Sequence, residues 1–531
     1  MSSLLVVCVT VILFFLAYRF YVRKLEELWQ IDPRRPTPSV SRYNGIDFVP
    51  AKNWLVLFGH HFSSIAGAGP VIGPVIAVVL WGWFPALVWV ILGAIFVGGV
   101  HDFSSLITSV REGGNSVANI SSKVISKNAK IIFSLFVWLA LILVISVFIH
   151  LCANTFVKEP RIVLPSLGLI PTALFIGFLL YNLKANSFLT TILGLLILSC
   201  LIILGNLIPI NLGKDSLIVW SFLLILYSYI ASITPVQILL QPRDYLSSFL
   251  LFFGVGAGLI GLLISNPKLS HSFYTQYTTE AGILWPMLCV TVACGAISGF
   301  HSLISSGTTS KQLPSEIYAK RIGYGGMLTE GLVAILAILA ISAGIKGNLL
   351  SVFKQTGPIA TFGRGYGEIT KIFFGGMGSF IAMTILNSFI LTTLDTATRI
   401  TRYITEELFK IKNRYFSTLI IVVIGGALAL SGKWNRIWPV FGAANQLTAS
   451  LALFVVTCWL LLNKKKTRFT LIPAIFMLIT TLSALIYQSV AYLKNKDYLL
   501  LGISWVLVSL ALFMLIEVIL KFKEWAQNAK R

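Results

Sequence analysis

The segment WLVLFGHHFSSIAGAGPVIGP, Trp54 to Pro74, is an apolar run that meets a cluster of Gly and Pro and then resumes. Pro70 removes an amide donor and clashes with the preceding turn. Gly67 and Gly69, flanking Ala68, permit non-helical backbone. The pattern predicts a helix that breaks halfway across a membrane. Lipid tolerates such a break only where protein covers it or it lines a cavity. Half-helix ends of this kind can hold anionic groups and ions. Gly67, Ala68, Gly69 and the nearby His61 are therefore candidates for binding a solute carboxylate. A simple Pro kink in a packed helix is the structural alternative.

Two further motifs supply polar groups at apolar helix ends. In YSYIASITPVQILLQPRDY, Tyr227 to Tyr245, Pro235 interrupts an apolar run. Ser232 and Thr234 flank it and could satisfy freed carbonyls or contact substrate. In GAISGFHSLISSGTTSKQ, Gly295 to Gln312, the hydroxyls of Ser305, Ser306 and Thr309 are hard oxygen ligands suited to sodium. A helix terminus that caps itself is the alternative. Gly59-x-His61 followed by Gly67 is echoed by Gly299-x-His301 followed by Gly307.

Ionisable residues inside apolar spans cost at least ~2.5–3.5 kcal/mol at mid-bilayer, so each calls for a reason. His60, His61, His101, Asp102, His301, Glu330 and Asp395 fall there. Asp102 and Glu330 are candidates for a proton relay or a gate, with structural pairing as the alternative and Arg321 as a partner for Glu330. Asp395 stands four residues before Arg399, so an i,i+4 ion pair explains it. Asn445 and Gln446 read as bridges between helices, with the lining of a cavity as the alternative. His60 and His61 are adjacent and cannot chelate one metal as an i,i+4 pair would. No metal site is expected. The six cysteines form no C-x-x-C pair. H-E-x-x-H, G-x-S-x-G and P-loop motifs are absent, so the chain is not expected to be an enzyme.

These residues need elements to hold them. The 531 residues are 56% hydrophobic and 11% charged, against about 25% charged in a soluble domain, so lipid is the expected solvent. Fifteen apolar segments are long enough to consider as spans: 2–22, 54–80, 84–110, 131–152, 163–183, 190–207, 217–240, 248–265, 281–304, 322–345, 372–396, 416–431, 437–462, 468–490 and 499–520. Segment 346–371 reads as an external loop or short surface helix. With the N-terminus outside, roughly 29 of the 41 Lys and Arg fall in inner loops. The pattern predicts N-out and C-in. The net charge of +22 thus reflects topology, and no nucleic-acid partner is expected.

GHHFSSIAGAGPVIGP at 59–74, VHDF at 100–103, LLQPRDY at 239–245, SGFHSLISSGT at 298–308 and PSEIYAKRIGYGGMLTEG at 314–331 together resemble the carbon-starvation (CstA) transporter family. The resemblance covers most of 45–450. His101 stands where the family pattern has Gln, and ITPVQ is less apolar than the family's form of that break. The resemblance implies peptide uptake or proton-coupled pyruvate uptake in nutrient-starved bacteria. It also implies an all-α bundle with an inverted repeat. A leucine-transporter-like 5+5 repeat is favoured and 7+7 is the alternative. On the 5+5 reading, 1–53 is an extra helix plus connector, 54–216 and 217–415 are the repeats, and 416–531 adds helices. Segments 54–80 and 217–240 would be the discontinuous helices. On the 7+7 reading the repeats are roughly 54–265 and 281–520.

The expected function is cation-coupled import of pyruvate or short peptides across a bacterial inner membrane, by alternating access. No cofactor is expected beyond a bound sodium ion or a coupling proton. The partners are a small-molecule substrate and the lipid bilayer. A passive channel and a membrane-embedded nutrient sensor are the rival readings.

Overall fold

The computed structural model describes residues 2–528 except Ile46, Lys184, Val236, Gln237 and Lys433. It is almost wholly helical, apart from one two-stranded hairpin at Thr278–Thr279 and Gly282–Ile283. Among the described residues, 12 helices are long and apolar enough to cross a membrane, or 13 when one bent pair counts as a span. This is a multi-pass membrane protein. Two of the fifteen expected spans fall short of that test. Segment 281–304 resolves into two short helices, Leu284–Thr291 and Gly299–Gly307, and 416–431 is the 17-residue helix Arg414–Leu430.

The first break forms where the Gly/Pro cluster requires it. Helix Trp54–Ile65 starts on Asn53, whose side chain accepts from the Val56 amide at 2.9 Å. It stops at Ala66, whose ψ of 80° is not helical. The chain restarts as Gly69–Trp81, with Pro70 in the first turn, where a missing N–H is tolerated. The two halves are bent by 48°.

The second break is not where 217–240 placed it. Helix Ser216–Ile233 ends at Thr234, and Leu240–Ser265 begins a separate span. Pro235 follows a helix end rather than interrupting a span. Val236 and Gln237 of the expected interruption lie outside the described residues. The interrupted helix that faces the first break is 284–307, where Val292 and Gly295 (φ +80°) leave the helical region. The contact is close. A Cβ on Gly69 would lie 2.5 Å from Cys294 Sγ, and one on Gly73 would lie 2.5 Å from the Thr291 carbonyl. Glycine is required at both positions.

Helices Lys127–Lys158, Ser216–Ile233, Gly378–Phe409 and Arg414–Leu430 pack on one another as a scaffold beside the two breaks. Trp138 Nε1 donates to Thr405 Oγ1 at 2.8 Å and Lys130 pairs with Glu407 across two of them. The hairpin Pro160–Leu180 and Phe188–Leu207 stands at the periphery. Only 28% of the apolar window of its second helix is buried, against 89% for Trp434–Leu462, so its leucines face lipid.

Two local expectations change. Segment 346–371 forms the helix Leu349–Ile369, broken at Gly357 (φ +76°). Its second half buries Ile359, Phe362 and Tyr366, and the Tyr366 hydroxyl donates to the Gly254 carbonyl at 2.6 Å. Its Gly and charged residues dilute its hydropathy but leave one apolar face. Asp395 does not pair with Arg399. It pairs with Arg243, from the start of helix 240–265, and accepts from the Tyr227 hydroxyl at 2.7 Å. Arg399 instead donates to the Ala231 and Thr234 carbonyls at 2.6 and 2.5 Å, closing the open end of helix 216–233.

Arg243 and Asp395 are both almost fully buried. Removing one partner strands a charge, at a cost of about 3–5 kcal/mol. Asp395→Ala is expected to lower the melting temperature in detergent sharply. The apolar double variant Arg243→Met with Asp395→Leu should recover most of that loss. Equal melting of Asp395→Ala and the native chain would contradict the pairing.

Candidate functional site: a buried acid–histidine chain at the two breaks

Both helices that carry the buried acids contain a wide turn. Trp83–Arg111 has a π-turn at Ala94–Gly98, and Glu316–Gly344 has one at Lys320–Tyr324. Such turns shift the register of the side chains that follow. Small residues then bring the helices close. A Cβ on Gly98 would meet the Ala296 carbonyl at 2.4 Å, and one on Gly323 would meet the Asp102 carbonyl at 3.1 Å.

The result is a chain of side chains that are 0% exposed. His101 Nδ1 lies 2.8 Å from Asp102 Oδ1. Asp102 Oδ2 lies 2.8 Å from His301 Nδ1. His301 Nε2 lies 3.1 Å from Glu330 Oε2. Glu330 Oε1 accepts from the Gly295 amide at 3.3 Å, inside the second break. Both nitrogens of His301 face a carboxylate. With both acids ionised, only the doubly protonated ring can donate to each of them. With a neutral ring, one acid must carry the proton. The chain can therefore hold a proton in more than one place without exposing it to lipid.

His61 stands beside this chain, with its Nδ1 2.9 Å from Thr309 Oγ1. Helix 54–65 and helix 299–307 are the halves nearest the end that carries residues 30–53, where the Ala51 amide bonds the Gln312 carbonyl. The His61/His301 echo thus lies on two half-helices near the same end of the bundle.

The structure separates the remaining candidates. Ser306 Oγ donates to Ser302 O at 2.6 Å, so it caps its own helix. Ser305 Oγ is buried without a partner among the described residues. Thr309 Oγ1 is engaged with His61, so of these three hydroxyls only Ser305 is without a partner among the described residues. Glu330 does not meet Arg321, which stacks over Trp54 at 4.8 Å. Among the described residues, no group of three or more His, Cys, Asp or Glu gathers as a metal site.

A separate small cavity of about 40 Å³ touches the first break. Ala66 and Gly67 border it, with Leu251, Val333, Phe362 and Phe389 among its apolar walls. Thr393 Oγ1 lies 2.7 Å from where a Cβ of Gly67 would be. Ala68 is fully buried, and Gly69 faces Cys294. Ser232, Thr234 and His61 do not border this cavity.

Asn445 and Gln446 bridge helices, and they do so at the second break. Asn445 Oδ1 accepts from the Phe300 amide at 3.1 Å, and Gln446 Nε2 donates to the Cys289 carbonyl at 2.7 Å. Sequence reasoning singled out Asp102 and Glu330 but not the residue between them. In the sequence His301 stands out as one more ionisable group in a span and as the partner of His61 in the Gly-x-His echo, neither of which places it between two acids.

The family model described as "Carbon starvation protein CstA" matches residues 2–349 and 346–484. The chain belongs to this family. The pyruvate/proton symporter BtsT of Escherichia coli (strain K12) is 31% identical, with 91% of this chain and 81% of that protein covered. The peptide transporter CstA of the same strain is 30% identical over 91% and 80%, and that of Bacillus subtilis (strain 168) is 29% identical over 90% and 89%. Among solved structures, a mutant of the Eremococcus coleocola manganese transporter aligns with TM-score 0.56 at 10% identity, covering 90% of this chain and 98% of that one. MhsT in complex with L-phenylalanine aligns with TM-score 0.52 at 12% identity, covering 90% and 100%. These likenesses show the fold alone.

In this CstA-family chain, Asp102 and Glu330 are joined through one imidazole, so their contributions should not be independent. In a cycle of Asp102→Asn, Glu330→Gln and the double variant, unfolding free energies in detergent are expected to depart from additivity by about 0.5–3 kcal/mol. Additivity within ~0.5 kcal/mol would show that His301 does not link them.

Proposed function

We propose that this protein imports a small organic carboxylate, with pyruvate the leading candidate, by proton-coupled alternating access. The observation that carries the reading is the Glu330–His301–Asp102 chain ending on the Gly295 amide of an interrupted helix. A proton arriving on Glu330 removes the charge that holds Gly295, so the charge-assisted hydrogen bond weakens. The backbone of the second break faces Gly69 and Pro70 of the first. Proton occupancy is thereby tied to the geometry of both breaks. One proton carried with one monocarboxylate leaves no net charge to move through lipid.

The small cavity supports a small substrate. About 40 Å³ has room for roughly three waters. That is nearer the scale of a three-carbon acid than of a dipeptide. The Gly69–Trp81 helix starts at the first break, and its positive dipole end favours a carboxylate there. The relative named a pyruvate/proton symporter agrees with this choice, and the relatives named peptide transporters keep peptides as the second reading. Sodium has less support, because Ser306 bonds within its own helix and Thr309 is engaged with His61.

The packing also suggests how the inverted repeat is arranged. Helices 54–81, 83–111, 127–158, 216–233 and 240–265 correspond in order and opposite direction to 284–307, 316–344, 371–409, 414–430 and 434–462. The hairpin 160–207 is then an insertion in a 5+5 repeat, and the repeats are 54–265 and 284–462 in place of 54–216 and 217–415. The basic residues at the end that carries 30–53 support a cytoplasmic position for that end and for the C-terminus. The membrane is the inner membrane of a bacterium.

In proteoliposomes, an inward proton gradient is expected to drive accumulation of labelled pyruvate above equilibrium, and replacing sodium by choline should leave it unchanged. Glu330→Gln should abolish uphill accumulation while pyruvate counterflow persists. Accumulation that follows sodium instead of protons would sink the proposal, as would strictly downhill flux.

A further inference from the structure

The cavity at the first break is not the only space between the helices. A chamber of about 760 Å³ opens at the other end of the bundle from residues 30–53. Ile76, Leu80 and Thr291 line it from the outer halves of the two interrupted helices, and Trp434, Trp438 and Tyr492 form an aromatic wall. Helix 349–369 borders both spaces. Phe353, Lys354, Gly357 and Pro358 line the chamber, whereas Phe362 and Tyr366 line the small cavity. The break at Gly357 adjoins the boundary between the two sets.

The charges in the chamber are unequal. Its described cations are Lys158, Lys354 and Arg436, and its described acid is Glu280. Lys354 lies 3.8 Å from Glu280, and Arg436 pairs with Asp497. Lys158 has no carboxylate partner among the described residues. Its Nζ donates to the Thr356 carbonyl at 2.7 Å, and a Cβ on Gly357 would lie 3.2 Å from that nitrogen. One accessible ammonium group thus ties helix 127–158, part of the scaffold, to the broken turn of the helix between the two spaces.

We propose that this chamber is a first binding site for an organic carboxylate, with Lys158 as its receptor, and that the bound carboxylate displaces the Thr356 carbonyl and releases helix 349–369. The proposal rests on the carboxylate-import reading above. A charge-assisted bond from ammonium to carboxylate is roughly twice as strong as one between neutral groups and is also favoured over an amide carbonyl acceptor. The chamber has the volume for solutes up to a dipeptide, and its polar lining residues Asn154 and Gln488 can engage amide or keto groups. Release of the tether would couple arrival of substrate to opening of the way inward.

The test uses labelled pyruvate with the full chain in nanodiscs, and uptake in proteoliposomes. Ala382 also lines the small cavity, and Ala382→Trp fills it and is expected to abolish uptake while pyruvate binding to the chamber remains. In that background Lys158→Gln should weaken pyruvate binding about tenfold, and Lys158→Arg should restore most of it. Hydrogen exchange at 350–357 should quicken with pyruvate in the native chain and not in Lys158→Gln, and matching melting temperatures would show that the variants are folded. Folded Lys158→Gln with unchanged pyruvate binding and unchanged exchange overturns the chamber site alone. A native chain that accumulates no pyruvate overturns the import reading and the chamber site together. Dialanine in place of pyruvate reports whether the chamber accepts the larger solute.

Discussion

Everything in this protein depends on how two stretches of non-helical backbone are kept satisfied inside lipid. A peptide group without a partner there costs several kcal/mol. The chain solves this by setting the two breaks against each other and surrounding them with donors and acceptors. Glu330 takes the Gly295 amide, Asn445 takes the Phe300 amide, and Gln446 and Trp89 donate to carbonyls at Cys289 and Val292. The close approach admits only small residues, which explains Gly69, Gly73 and Gly98 in terms of space. A site built this way has exposed peptide dipoles already aimed, yet it can rearrange, because few of its bonds belong to a regular helix.

The buried charges divide by their distance from those breaks. Asp102, His301 and Glu330 connect to the second break directly. Arg243, Asp395 and Tyr227 tie helix 240–265 to the scaffold, and Arg399 closes a helix end with its guanidinium. The first set is fully buried, the second is buried apart from half-buried Tyr227, and both join separate helices. The difference is that the first set includes a titratable ring between two acids, so it can shift a proton. The second is anchored by arginine, which stays charged. The first is suited to coupling and the second to holding the scaffold together.

Helix 349–369 stands where these two roles meet. It lies outside the long apolar spans, yet its second half is buried against 325–344, 378–409 and 69–81. The Gly357 break lets one helix serve two spaces of different size and chemistry, a large chamber with aromatic and charged walls and a small apolar cavity.

The sequence by itself determined the membrane character, the order of the apolar segments, the first break and the family. Each of these is written locally, in composition, in a run of Gly and Pro, or in long shared motifs. It also named Asp102 and Glu330, because a charge in an apolar run is conspicuous wherever the chain folds. It misplaced the second break, because Pro235 after an apolar run looks the same whether it ends a helix or interrupts one. The turn at 292–298 carries no such proline, and it is held open by Asn445 and Gln446 from far along the chain. It paired Asp395 with Arg399 because i,i+4 spacing is the only geometry a sequence displays, whereas the true partner lies 152 residues away. Only the tertiary structure could place His301 between two acids from different helices. Such a contact is set by π-turns, glycine-sized gaps and the crossing of helices, none of which leaves a local mark.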